Sequence, residues 1–102
     1  MPRKRIPIAC TLSVSDASRQ ATEWIDLQKR ATSSESLPDG AALTFPEALA
    51  DRVEDLASRE AACCAFLTIN TTRERGLVRV EVTSEDPDAR PVITMLTGVG
   101  MR

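Results

Sequence analysis

The stretch "SREAACCAFL", residues 58–67, sets one acid, Glu60, three and four residues ahead of two adjacent cysteines, Cys63 and Cys64. On an α-helix, positions three and four apart share a face, so a carboxylate and two sulfurs would gather at one helix end. Cys10 supplies a third sulfur from far upstream. Thiolates are soft ligands, and three of them suit a thiophilic metal or metalloid in trigonal geometry. Alternatively, one cysteine acts as a redox-active nucleophile that a second one resolves, with Glu60 moving the proton. Helix neighbours diverge by about 100°, which makes adjacent cysteines awkward ligands for a single ion. Two other readings stay open. Buried cysteine also serves as a small inert hydrophobe, with Glu60 bonded to Arg52, Arg59, Arg79 or a backbone N–H of "LPDG". Glu60 and Trp24 could also line a pocket for a small ligand.

What the chain lacks narrows the chemistry. It has no His and no Tyr, so it cannot by itself build a Ser-His-Asp or Cys-His apparatus or a His-ligated zinc site. Its four glycines, Gly40, Gly76, Gly98 and Gly100, are not grouped as a phosphate-cradling loop. Two Phe and one Trp offer little stacking surface for nucleic acid, and a net charge of -2 gives it no general attraction. The basic start "PRKR" reads as a solvated or frayed end. No apolar run approaches the ~18 residues needed to span a bilayer, and no apolar h-region follows the basic start. The expectation is a cytoplasmic protein with reduced thiols and no membrane or nucleic-acid partner.

The elements that must position the site follow from periodicity. Residues 5–14, "RIPIACTLSV", alternate strictly, with Ile6, Ile8, Cys10, Leu12 and Val14 on one side, which predicts a strand. A helix is expected over 16–31, capped by Ser15 or Asp16, with Ala17, Ala21, Trp24, Ile25 and Gln28 as its stripe, widened by Leu27 and Ala31. "SSESLPDG" reads as a loop with turn chemistry, and "AALTF" as a short strand. A second helix over 46–63 has Thr44 and Glu47 at capping-box spacing and Pro46 just inside its start. "FLTINTTR" and "GLVRVEVTS" form a hairpin through the charged tip "RERG". "DARPVITMLTG" reads as a last helix capped by Asp88 and closed by Gly98.

The resulting order is β-α-β-α-β-β-α in one domain spanning 1–102, with 1–4 frayed. An α+β fold is expected, a mainly antiparallel four-stranded sheet with helices packed on one face. Projected at about 100° per residue, Leu49, Val53, Leu56, Glu60, Cys63 and Cys64 share roughly a third of the second helix. Glu60 is then the carboxylate aimed at the core, where it needs a partner or a proton. Cys10 joins the cluster if the first strand packs under that helix. The arginines Arg73, Arg75, Arg79 and Arg90 read as solvated charge in preference to an anion patch.

Three segments together carry a resemblance: "AC-x-L" at 9–12, "LPDG-x-x-L-x-F" at 37–45, and "E-x-x-CC-x-FL" at 60–67. Over residues 9–97 the chain resembles a family of small, largely uncharacterised bacterial proteins. Similar segments in that family are attached to, or labelled with, mercury-responsive regulators. Cys10, Leu37, Pro38, Asp39, Gly40, Phe45, Glu60, Cys63, Cys64 and Phe66 map onto the pattern, and Ala65 departs from it where Pro, Arg or Ser is usual. The resemblance implies no established reaction or cofactor. Without a helix-turn-helix, the chain is not expected to regulate DNA by itself.

The reading carried forward is a small binding domain. Cys10, Cys63 and Cys64 engage a thiophilic metal ion or a redox partner, Glu60 tunes thiol protonation, and Glu60 with Trp24 is the alternative small-ligand site. The competing class is a structural or interaction module, a homodimer with inert cysteines. An enzyme has the least support, since its base would have to be Glu60 or a cysteine.

Overall fold

The computed structural model describes residues 14–99, without the side chains of residues 14–18 and of Cys63. The strand expected over 5–14, and Cys10 with it, lies outside the described residues apart from Val14, which opens a helix.

That helix, α1 (Val14–Gln28), starts before Ser15 and Asp16, so neither residue stands at its N-cap. It stops at Gln28 instead of residue 31, because Lys29, Arg30 and Ala31 donate to carbonyls only three residues back and tighten into a turn. Its buried side is Gln20, Trp24 and Leu27, whereas Ile25 is 46% exposed. The helix is therefore rotated by about one position from the apolar stripe read in the sequence.

The chain then forms a hairpin, β1 (Ser33–Leu37) and β2 (Gly40–Pro46), around Pro38 and Asp39. The segment expected to be a loop is thus an edge strand. Its side chains are exposed up to Leu37, so it carries no period-two apolar signal, and pairing with β2 defines it. Gly40 is needed for a close approach: a Cβ there would run into the Val82 carbonyl oxygen. Pro46 leads into a single 3-10 turn, and α2 (Ala50–Cys63) follows. The expected capping box does not form: no side chain caps that turn, and the Glu47 N–H donates to Gly76 O at 3.0 Å.

β3 (Thr68–Glu74) and β4 (Leu77–Thr83) make the expected hairpin, with Arg75 at φ 55 and Gly76 at φ 78 as its two turn residues. α3 (Arg90–Thr97) closes the fold and ends at Gly98 in the left-handed region. A short turn precedes it, and the side chain that caps this turn belongs to Asp86, which accepts from the N–H of Asp88. Asp88 had been expected in that role.

The sheet is four-stranded and antiparallel throughout, in the order β1-β2-β4-β3. In its centre Ala41, Leu43 and Phe45 stand opposite Val82, Val80 and Val78, and all six are buried on the side covered by helices. α2 lies over β3 and β4, α3 over β2, and α1 packs against both helices. This is the α+β architecture read from the sequence. Trp24, Leu27, Val53, Leu56, Ile93 and Leu96 fill the space between the layers, where burial of apolar surface supplies the main driving force. Among the described residues no helix is long and apolar enough to cross a membrane.

Candidate functional site

α1 and α2 run antiparallel. Arg52 meets Asp26 at 2.9 Å, Arg59 meets Glu23 at 2.9 Å, and Gln20 reaches Glu60 at 2.9 Å. The beginning of α1 therefore sits beside the end of α2, and the last turn of α2 is where Glu60 and Cys64 lie. The Cys64 N–H donates to Glu60 O at 2.9 Å and closes the helix, and Cys64 itself leaves helical geometry with φ -123 and ψ 80. The Leu67 N–H then donates to Cys64 O at 3.0 Å and directs the chain toward β3.

Glu60 is only 4% exposed and Cys64 is fully buried. The two oxygens of Glu60 have different surroundings. Oε1 accepts from Gln20 Nε2 and from the indole Nε1–H of Trp24, both at 2.9 Å. Oε2 lies 2.9 Å from Cys64 Sγ. A buried carboxyl is costly unless its oxygens are met by donors, and the Gln20 amide and the Trp24 indole supply two of them. The arginines that could have paired with it are engaged elsewhere: Arg52 with Asp26, Arg59 with Glu23 and Asp55, Arg79 with Glu35 and Glu81.

Cys64 is half of a disulfide. The sequence holds two other cysteines, Cys10 and Cys63, whose side chains lie outside the description. Reduced thiols were expected, and the oxidised sulfur changes the reading of the Glu60 contact. A thiol at 2.9 Å would donate to the carboxylate, but a half-cystine has no S–H to give. In the oxidised state the contact is a hydrogen bond only if the carboxyl oxygen carries the proton.

Of the residues singled out by sequence, the structure brings Glu60, Trp24 and Cys64 together. Trp24 contributes its N–H from a fully buried ring and does not form an open stacking platform. Gln20 was missed. It stands four residues before Trp24 on the same side of α1 (a spacing the helix period makes visible), yet a glutamine outside an apolar stripe gives no sign of burial. No group of three His, Cys, Asp or Glu side chains is placed to hold a metal ion among the described residues, a set that excludes the sulfurs of Cys10 and Cys63. Two surface hollows lie away from the site. One, of about 240 Å³, opens on the uncovered side of the sheet between Thr44, Thr72, Leu77 and Arg79. The other lies beside Gln28, Ser33 and Thr97.

Around the site, ion pairs tie α1 to α2. The Arg59 guanidinium hydrogen-bonded to Glu23 holds that carboxyl below its usual range, and Arg30 and Arg52 do the same for Asp26. On the far side of α2, Arg73 holds Glu54 low by the same means and also bonds Asp51. Arg73 and Arg79 thus each bind two carboxylates. No family model, curated protein or solved structure matches the chain.

Proposed function

We propose that the chain is a small thiol–disulfide binding domain in which Cys64, paired with Cys10 or Cys63, exchanges with a thiol partner. In the reduced form the freed sulfurs take a thiophilic metal ion. Glu60 governs where the proton of Cys64 goes. The observation that carries this reading is the 2.9 Å approach of the Cys64 sulfur to one oxygen of a buried carboxyl whose other oxygen is fixed by Gln20 and Trp24. An inert cysteine needs only apolar neighbours, whereas this one lies against a buried carboxyl group.

The antiparallel helix pair favours Cys10 as the second sulfur. Cys10 lies four residues before α1, a reach of about 14 Å when extended, and α1 begins beside the end of α2. Adjacent Cα atoms stand about 3.8 Å apart, short of the roughly 4.4–6.8 Å that disulfides prefer, which disfavours Cys63. In the cytoplasm disulfides are mostly transient and exchange-active, and a switching role there agrees with this reading. The resemblance to small bacterial proteins associated with mercury-responsive regulators supports the same chemistry.

The test is reduction of the folded chain by dithiothreitol, followed by non-denaturing mass spectrometry with one equivalent of Zn(II). The expected species is a reduced chain holding one ion, absent from the oxidised chain and from Cys64→Ser. A disulfide that resists reduction until denaturant is added contradicts the proposal. That result would favour a homodimeric interaction module, for which the uncovered sheet side with Leu77 40% exposed is the supporting feature.

A further inference from the structure

We propose that the β3–β4 turn end of the uncovered sheet side is a self-association surface, on which Arg75 of one copy enters the hollow of a second copy and pairs with that copy's Glu74. The surface lies at the opposite end of β3 from Cys64, and it goes beyond the thiol–disulfide reading without depending on it.

The hollow follows from where one side chain leans. Strand alternation puts Thr44 of β2, Thr72 and Glu74 of β3, and Leu77 and Arg79 of β4 on the side without helices. Thr44 and Thr72 both stand opposite Arg79. The Arg79 guanidinium is drawn away from the turn, to Glu81 at 3.0 Å and Glu35 at 3.1 Å. The space it leaves above the two threonines is the hollow of about 240 Å³, walled toward the turn by Leu77 and Glu74. Pockets for small molecules hold roughly 300–1,000 Å³, so this one suits a single side chain.

Charge selects the occupant. On this side Arg79 is matched by Glu35 and Glu81. Glu74 is exposed at the rim, and no described residue pairs with it. Leu77 beside it is 40% exposed. A cation on a long aliphatic stem meets both needs, with its head on the carboxylate and its stem over the leucine.

Arg75 has that chemistry. It is exposed next to Glu74 and no described residue pairs with it, whereas Arg73 on the same hairpin holds Asp51 and Glu54. Its backbone stands at φ 55, in a turn position that Gly, Asn and Asp occupy with less strain. Strained backbone of this kind gathers where a side chain has a use. One hairpin end therefore carries the cation, the acid and the hollow together. A two-fold axis between two copies makes each contact twice, because in such an interface residue i meets j and j meets i.

The contact is small. Two hairpin ends bury less than the roughly 1,200 Å² at which standard interfaces begin, so association is weak, with a dissociation constant on the order of 0.1 mM. It is also salt-sensitive, since its ion pairs lie near water. In dilute solution the chain is a monomer, and melts recorded there report the fold alone.

The experiment is sedimentation equilibrium of the full chain at low salt from about 10 µM to 1 mM, a range that spans this constant. Glu74→Lys and Arg75→Asp are run beside it, with circular dichroism to confirm their fold. Wild type should pass from monomer to dimer. Each variant carries like charges at its hairpin end and should lose the dimer over the whole range. An equimolar mixture of the two should regain it, since one end is then basic and the other acidic. Wild type that stays monomeric at about 1 mM overturns the proposal. A dimer that survives both substitutions overturns it too, and places the contact on another face or in a disulfide between copies. So does a mixture of folded variants that does not associate. Should Arg75→Asp fail to fold, wild type against Glu74→Lys decides.

Discussion

Glu60 accepts from Gln20 and Trp24, and the cost of disturbing these bonds should be visible at single residues. Trp24→Phe keeps most of the ring but deletes the N–H that meets Oε1 at 2.9 Å. Leaving a buried oxygen short of a donor costs about 1–3 kcal/mol, which corresponds to a fall in Tm of roughly 4–8 °C per kcal/mol for a domain of this size. A thermal melt of Trp24→Phe within a degree of wild type would show that the indole N–H does not hold the carboxyl. Gln20→Leu tests the second donor in the same way and should lower Tm in the same direction. At this scale the sequence was partly legible. The i, i+4 spacing of Glu60 and Cys64 placed them on one side of α2, and the structure has both buried. Gln20 was illegible, because nothing in a lone polar residue says which buried group it will bond.

Among the elements, turn geometry and ion pairs make separate predictions. The β3–β4 turn sets Arg75 at φ 55, a conformation that costs an ordinary L-residue about 1–2 kcal/mol and that Asn tolerates better. Arg75→Asn should therefore raise Tm, and a fall would contradict the turn assignment. Gly40→Ala should lower it, because the added carbon meets the Val82 carbonyl. The ion pairs of α2 with α1 and with β3 are acid-sensitive. Glu23, Asp26 and Glu54 are held below their ordinary values of 4.5, 3.8 and 4.5 by hydrogen bonds from arginines. Folded carboxyls of depressed pKa contribute stability above the unfolded value and lose it as pH falls through the folded one. Melting temperature should hold near neutrality and drop as pH falls below about 4.5, carrying the losses of all three groups. Glu23→Gln, which removes an exposed pair of less than about 1 kcal/mol, should be slightly less stable than wild type at pH 7 and equal to it in strong acid. A gap that persists in acid would assign the loss to something other than this ion pair.

For the molecule as a whole, apolar alternation made most of the sheet readable. Val78, Val80 and Val82 announce β4 without help, and the valines then fix the faces of β2 and β3 through their register. β1 was missed because an exposed edge strand of serines has no buried face to mark it. The last helix was found with its Gly98 end, but its cap was misplaced by two residues because Asp86 and Asp88 are equally able acceptors. The site was legible only as a set of residues. Its oxidation state was not, since no local pattern encodes which sulfur the fold brings to Cys64. Cys64 oxidised against a buried carboxyl is the claim on which the functional account stands. The most direct measurement is the intact mass of the chain denatured and alkylated with iodoacetamide in the absence of reductant. The chain has three cysteines, so a disulfide within it leaves one to be alkylated, and all three after reduction. Three alkylated cysteines before reduction would contradict the account.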